Sequence, residues 1–427
     1  MAPERDRIGA FCAFSFWQHP AAGRILQEIR DGQSSGEMQI LIRRCALLTL
    51  EPRERLEFDL VDLMSVGRGL ATVREWFAIA SHIAREIVVS DTEAAALGRV
   101  SASQWTESEV LAATVAREDI ESLLAKGLLI AEGSELDARD QRVRDTGWRQ
   151  ISAAMHYASR WQGVDTEEVQ KEFAQIHGED LLKALGPAPP AVRERSAASA
   201  RLSLPAVAPT PLDALLDGRV TCRNFDDARA LTAAELAAVL FRAFGARAVD
   251  PHAPGVDLVK KGVPSAGGLH PTEAYLLIQR VDGIATGLYH YHPVDHALEP
   301  IRAFDAAEAT RLARTFVGAQ PYFVNAPVFV IPAPRFRRNF WKYRNHAKAY
   351  RALVLDVGHL SQTLYLAATE LGLAAFITAA INEVDIEAAF GLDPLEEGPL
   401  AVMGFGARGP VREAIEFDPL GAVWKAG

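Results

Sequence analysis

The chain has 427 residues, 49% of them hydrophobic and 23% charged, with a formal net charge of −10. That length gives room for two domains with a sizeable core, and ordinary apolar and charged fractions exclude a disordered or fibrous chain. The negative charge argues against nucleic acid or an anionic membrane as a general partner, and the scattered Cys12, Cys45 and Cys222 exclude a disulfide framework and a zinc knuckle. The opening Met-Ala-Pro-Glu-Arg-Asp-Arg does not lead into a long apolar core with a cleavage site. No run is long enough to span a bilayer, and the sparse cysteines make a reducing cytoplasm the expected compartment.

In chain order, Phe11 to Trp17 is aromatic-rich and carries no assignable role. Met38 to Leu50 reads as one or two strands, Glu57 to Met64 as a further short element, Val73 to Ala84 as an amphipathic helix and Glu86 to Ser90 as a strand. Ser108 to Thr114 and Arg117 to Leu129 read as two helices, the second with Ile120, Leu123, Leu124 and Leu128 on one face and Gly127 near its end. Strand, helix and helix in this size range predict a winged-helix-like module. The second helix carries Glu118, Asp119 and Glu121 against Arg117 and Lys126, the wrong balance for a DNA recognition helix, so a peptide-docking or purely structural role is expected. Trp148, Met155, His156, Tyr157 and Trp161 form an aromatic-rich helical stripe, read first as core and second as a peptide-binding face. After Leu185 the sequence turns Pro- and Ala-rich, which divides the chain into an N-terminal domain of residues 1–185, a linker of 186–211 and a second domain of 212–427.

The second domain opens with Leu212 to Leu216 and then Arg219 and Arg223, four apart with Thr221 between them. Two guanidiniums and a hydroxyl at that spacing converge on a phosphate if the turn precedes or opens a helix; otherwise they are solvated arginines. Thr232-Ala-Ala-Glu235 is a capping box for a helix carrying Leu236, Val239, Leu240 and Phe244 and stopped at Gly245. The stretch Gly262 to Tyr275 holds Pro264, Ser265, Ala266, Gly267, Gly268 and Thr272 ahead of a buried strand from Ala274 to Ile278, a pattern suited to a flat ligand lying against permissive backbone. His290 and His292 share a strand face, but no carboxylate or thiol is placed as a third metal ligand, and Pro293 to Ala297 reads as a hairpin turn. A buried strand from Val328 to Ile331 leads into the basic run Arg335 to Arg344, read as a solvated loop or as a docking edge for an anionic cofactor or peptide.

Within that run Lys342 and Tyr343 are adjacent, which places them in a loop or at a helix start if both are to serve one site. A lysine whose pKa is lowered by burial or a neighbouring cation can take a proton, and a phenol can relay or hold it. From Tyr350 onward Leu353, Val354, Val357, Leu364, Tyr365, Ala368 and Leu371 keep helical spacing up to Gly372, and small Gly358 and Ser361 permit close approach by a helix or a flat ligand. Leu400 to Met403 is a closing strand before Gly404, Gly406 and Arg408.

Taken together, Arg219-Val-Thr221-Cys-Arg223-Asn-Phe225, Pro264-Ser265-Ala266-Gly267-Gly268, Gly287-Leu-Tyr289-His-Tyr291, Lys342-Tyr343 and Gly358-His359-Leu-Ser-Gln362, in that order, resemble the SagB-type branch of the FMN-dependent nitroreductase superfamily, which contains the azoline dehydrogenases of thiazole/oxazole-modified peptide maturation. The resemblance covers roughly the C-terminal half. It implies an α+β fold, a nitroreductase-like FMN-binding domain behind the winged-helix-like one. It also implies an FMN held by Arg219, Thr221, Arg223, Pro264, Ser265, Ala266, Gly267, Gln362, Gly404 and Arg408, with Lys342 and Tyr343 catalytic and no metal. Thr221 stands where the family usually has serine, and Val220 where many members have a second arginine. The implied partners are a modified precursor peptide, a cyclodehydratase and a second copy in a homodimer, and the implied reaction is azoline to azole. An NAD(P)H-dependent nitro- or quinone reductase and a catalytically silent leader-peptide-binding scaffold are the alternatives.

Overall fold

The computed structural model of the chain describes residues 40–58, 64, 69–83, 85–168, 183, 186–344 and 346–424. The segment Phe11 to Trp17 and most of the element expected over 57–64 lie outside the described residues. The chain forms two compact units, residues 1–159 with 344–347 and residues 160–343 with 348–427.

In the first unit β1 (Leu41–Arg44), β2 (Thr49–Phe58), β3 (Leu70–Ala80) and β4 (Arg85–Val89) precede helix α1 (Asp91–Arg99). Then come β5 (Thr106–Glu107), α2 (Ser108–Ala112), α3 (Arg117–Ala125), β6 (Leu129–Ala131), α4 (Glu135–Thr146) and α5 (Gln150–Ala158). From α1 to β6 the order is helix, strand, helix, helix, strand, as in a winged-helix-like module, with β1 pairing antiparallel between β5 and β6. Leu97, Leu111, Ile120 and Leu123 pack with Ile42 and Leu129 to make its core. The helix expected over Val73 to Ala84 is instead β3 and a single 3-10 turn. Its apolar residues fit a helical stripe, but Val73, Trp76, Phe77 and Ile79 are β-branched or aromatic. A distant partner, β2, pairs with it from Thr49↔Ile79 to Phe58↔Leu70, with Arg74 on Glu54 at 2.8 Å and Arg55 on Glu75 at 3.0 Å across the strands.

The second unit contains α6 (Pro211–Gly218), α7 (Ala233–Ala243), β7 (Ala246–Ala253), β8 (Val256–Lys261), β9 (Thr272–Ile278), β10 (Gly287–His292) and β11 (Ala297–Ala303). It continues with α8 (Ala306–Phe316), α9 (Pro321–Val324), β12 (Val328–Pro334), α10 (Phe336–Tyr343), α11 (Lys348–Glu370), β13 (Ala374–Thr378), α12 (Glu383–Phe390) and β14 (Val402–Gly406). Six strands form one sheet in the order β11-β10-β9-β12-β14-β13, every neighbouring pair antiparallel. Period-two alternation sorts the sheet into two faces. Leu276, Ile278, Val330 and Met403 pack on Val239 and Leu240 of α7 and Leu360 and Leu364 of α11, whereas Leu277, Phe329, Ile331 and Phe376 pack on Leu312 and Phe316 of α8 and Ile386 and Phe390 of α12.

The capping box ahead of α7 forms as its sequence requires, Glu235 N donating to Thr232 Oγ1 at 3.1 Å and Thr232 N to Glu235 Oε2 at 2.9 Å. The division between the units falls before Arg160, ahead of the Pro/Ala-rich stretch, because residues 160–168 are tied to the second unit. Arg160 Nε donates to Glu387 Oε1 at 3.0 Å and Val164 N to Asn382 Oδ1 at 2.8 Å. No helix among the described residues is long and apolar enough to cross a membrane.

Candidate active site

Arg219 ends α6, and the chain leaves it extended beside β13, where Thr221 pairs parallel with Ala375 and Cys222 N donates to Ala375 O at 2.9 Å. Alternation along this segment buries Val220, Cys222 and Asn224 and leaves Arg219, Thr221 and Arg223 on the more open side. The two arginines are therefore brought to one side by an extended chain and not by the helical spacing expected from four-residue separation. The Arg219 guanidinium lies 5.3 Å over the Tyr365 ring, Thr221 Oγ1 is 3.0 Å from Tyr365 Oη, and the Arg223 guanidinium lies 5.5 Å over the Tyr322 ring. Arg408, just past β14, reaches the same segment by donating to Val220 O at 3.2 Å. Arg219 forms no ion pair among the described residues, and the guanidiniums of Arg219, Arg223 and Arg408 gathered at this segment are the kind of donors that a multiply charged oxyanion takes.

The loop from Pro264 to Gly268 is shaped by Gly267 at φ 62° and Gly268 at φ 69°, a backbone that side chains other than glycine rarely adopt. A Cβ on Gly267 would lie 2.5 Å from Tyr343 Oη and 2.7 Å from Lys342 Nζ, so the lysine and the phenol converge on this glycine. Both are the last residues of α10, an outcome different from the loop or helix start expected of them. Adjacent positions at a helix end can serve one site because the residue between their tips is a glycine. The basic run is thereby a helix and not a solvated loop, with Phe336, Asn339 and Phe340 buried.

Beneath the loop, Ser265 Oγ donates to Asp356 Oδ2 at 2.5 Å and Ala266 N to Asp356 Oδ1 at 3.1 Å, while His270 N donates to Ser265 Oγ at 3.0 Å. Burial pushes the Asp356 carboxyl above its ordinary range, against the pull of those two donors. Pro264, Ser265 and Asp356 line a small pocket with Lys261, His270 and Thr272. Burial draws the Lys261 ammonium below its usual range, and burial with the charge of Lys261 and Lys260 brings His270 down to about 4. Thr272 Oγ1 is buried in the same place without a hydrogen-bond partner.

The two remaining family-implied positions lie elsewhere. Gln362 is exposed on α11. Gly404 is buried in β14, where a Cβ would collide with the Phe376 ring and stand 3.0 Å from Val328 O, so sheet packing alone requires a glycine there. No cluster of metal-ligating residues occurs among the described residues, and the His290 ring pairs with Glu299 at 2.6 Å and Glu273 at 3.3 Å. Sequence reasoning missed Asp356, whose signal was a carboxylate on the stripe set by Leu353, Val357 and Leu364. It also missed Tyr322 and Glu416, which sit in segments without periodicity.

The second unit is thus a six-stranded antiparallel sheet between helix layers, with an arginine cluster at its edge and a glycine loop facing a Lys-Tyr pair, an α+β fold. Residues 216–407 match the nitroreductase family. The nitroreductase-like protein MJ1384 of Methanocaldococcus jannaschii is 30% identical over 207 residues, 48% of this chain and 96% of its own length. The chain belongs, through its second unit, to the nitroreductase family. It is also similar to the trifolitoxin-processing protein TfxB of Rhizobium leguminosarum bv. trifolii, 31% identical over 36% of this chain and 41% of TfxB. The microcin B17-processing protein McbC of Escherichia coli is 27% identical over 43% of this chain and 65% of McbC. The chain thus spans less than two thirds of the length of either processing protein.

Proposed function

We propose that this chain is an FMN-dependent dehydrogenase of ribosomal peptide maturation that oxidises an azoline to an azole in a modified precursor peptide. The observation that carries the reading is the meeting of Lys342 Nζ and Tyr343 Oη at the backbone of Gly267. Likeness to two peptide-processing proteins supports the substrate class. The residues present fit the cofactor: Arg219, Thr221, Arg223 and Arg408 offer the charge and hydroxyl that a phosphate takes, and Gly268, where a Cβ would meet nothing within 4 Å, leaves open backbone beside the Lys-Tyr pair for a flat ring to approach. Bound there, FMN supplies the acceptor for the electron pair that leaves with one hydrogen of the azoline ring. Lys342 takes the other hydrogen as a proton, and the Tyr343 phenol beside it holds or relays that proton. The site is completed in a homodimer, and a cyclodehydratase makes the azoline.

The test is to compare Lys342→Ala and Tyr343→Phe with the parent on an azoline-bearing peptide. Both variants keep FMN and its normal reduction by dithionite, and turnover falls roughly 10²–10⁴-fold, the usual loss on removing a general base. Turnover at the parent rate would transfer the proposal to an NAD(P)H-dependent nitro- or quinone reductase, whose positive sign is rapid flavin reduction by NAD(P)H.

A further inference from the structure

Residues 409–424 contain no helix or strand, yet one carboxylate ties them down. Glu416 is 1% exposed, and its two oxygens take five donors. Oε1 accepts the backbone N–H of Arg223 at 2.6 Å, that of Asn224 at 3.1 Å and the Asn224 side-chain amide at 2.8 Å. Oε2 accepts the Trp424 indole N–H at 2.8 Å and the Arg408 guanidinium. Asn224 closes the clasp from its own side, its Oδ1 accepting Glu413 N at 2.8 Å and Ala414 N at 2.7 Å. The strap also reaches Arg223 directly, since Arg223 Nη1 donates to Ile415 O at 3.2 Å.

This arrangement fixes two of the three arginines at the sheet edge. Arg408 is held by Glu416 through one terminal nitrogen and by Val220 O through the other, which sets the plane of its guanidinium and the direction of its remaining donors. Ordering a long side chain before its ligand arrives removes that cost from binding. The Glu416 side chain has no exposed surface, so an incoming phosphate cannot exchange with it unless the strap lifts. A buried carboxylate with all its donors in place is a fixture of the site and not a rival for it.

We infer that Glu416 is a positioning residue for the cofactor phosphate, acting through Arg223 and Arg408, so that the C-terminal strap governs phosphate recognition; this rests on the FMN reading above. The experiment titrates FMN and riboflavin separately into flavin-free full-length protein and follows the quenching of flavin fluorescence. Glu416→Ala weakens FMN at least tenfold and leaves riboflavin, which has no phosphate, unchanged. Glu416→Gln, which keeps an acceptor for the backbone N–H groups, recovers part of the loss. Trp424→Phe removes one donor to Glu416, keeps a ring beside Arg408 and weakens FMN several-fold; it decides the matter if Glu416→Ala does not fold. FMN binding that is unchanged or tighter overturns the inference, as does an equal loss for riboflavin, which marks a purely structural role. A parent protein that takes up neither flavin overturns the FMN reading itself, and this inference with it.

Discussion

A methyl group added at Gly267 would have to share its space with the Tyr343 hydroxyl and the Lys342 amine, whereas one added at Gly268 would meet nothing within 4 Å. Both glycines hold a left-handed backbone, so alanine at either costs about 1–2 kcal/mol of strain. The expected outcome is that Gly267→Ala and Gly268→Ala lower the melting temperature by similar amounts, while only Gly267→Ala loses peptide oxidation, by about 10²-fold, as displacement of a catalytic group does. Equal activity in the two variants would contradict a reacting site at that glycine. A second prediction concerns Glu397, pushed up to about 7 by burial and then by the charge of Glu273, with Tyr275, Arg335 and His290 around it. In the folded protein this carboxyl keeps its proton between about 4.5 and 7 while the unfolded chain releases it. Its contribution to stability is therefore full below pH 4.5 and lost as pH rises through 7. Glu397→Gln, neutral at every pH, is expected to raise the melting temperature at pH 8 and to leave it nearly unchanged at pH 5. A shift of the same size at both pH values would contradict the assignment.

Elements whose evidence is local were readable in the sequence, and those that need a distant partner were not. The α7 cap lies in Thr232 and Glu235 themselves, and the Ser90 and Glu93 box of α1 is equally local. The stripe over β3 alone fits both periods, and only its pairing with β2 decides for a strand. Adjacency predicts a loop or a helix start for Lys342 and Tyr343, whereas their convergence at the end of α10 depends on Gly267, which comes from another part of the chain. The face of α11 turned outward is another case where local sequence needs a partner to explain it. Val354 and Leu355 are 51% and 58% exposed, Gly358 follows one turn on, and a Cβ there would meet nothing within 4 Å. A glycine inside a helix costs about 1 kcal/mol against alanine, and nothing in this chain's own packing demands it. A second copy packed on this face is expected, with the parent a dimer in sedimentation velocity and Gly358→Arg a monomer at the same concentration, since an unpaired charge buried at an interface costs about 3–5 kcal/mol. A parent that sediments as a monomer with flavin bound would contradict it.

At the scale of the molecule, the second unit is readable as a whole because several short motifs occur in a fixed order along the chain, from Arg219 through Gly267 and Lys342 to Arg408, and the family match over residues 216–407 covers the same stretch. The first unit carries no such order, and its core of Ile42, Leu97, Leu123 and Leu129 reports packing and not chemistry. The division between them was placed in the Pro/Ala-rich stretch by composition, while the hydrogen bonds of residues 160–168 to α12 draw the compact unit back to Arg160. What the assembled site does is decided by one measurement on the parent protein. The FMN-loaded chain is incubated in air with an azoline-bearing peptide and the peptide is followed by mass spectrometry. The predicted result is loss of two hydrogens per ring, dependent on FMN. A peptide of unchanged mass, in the presence of bound flavin that NAD(P)H reduces rapidly, would contradict the dehydrogenase and leave a reductase in its place.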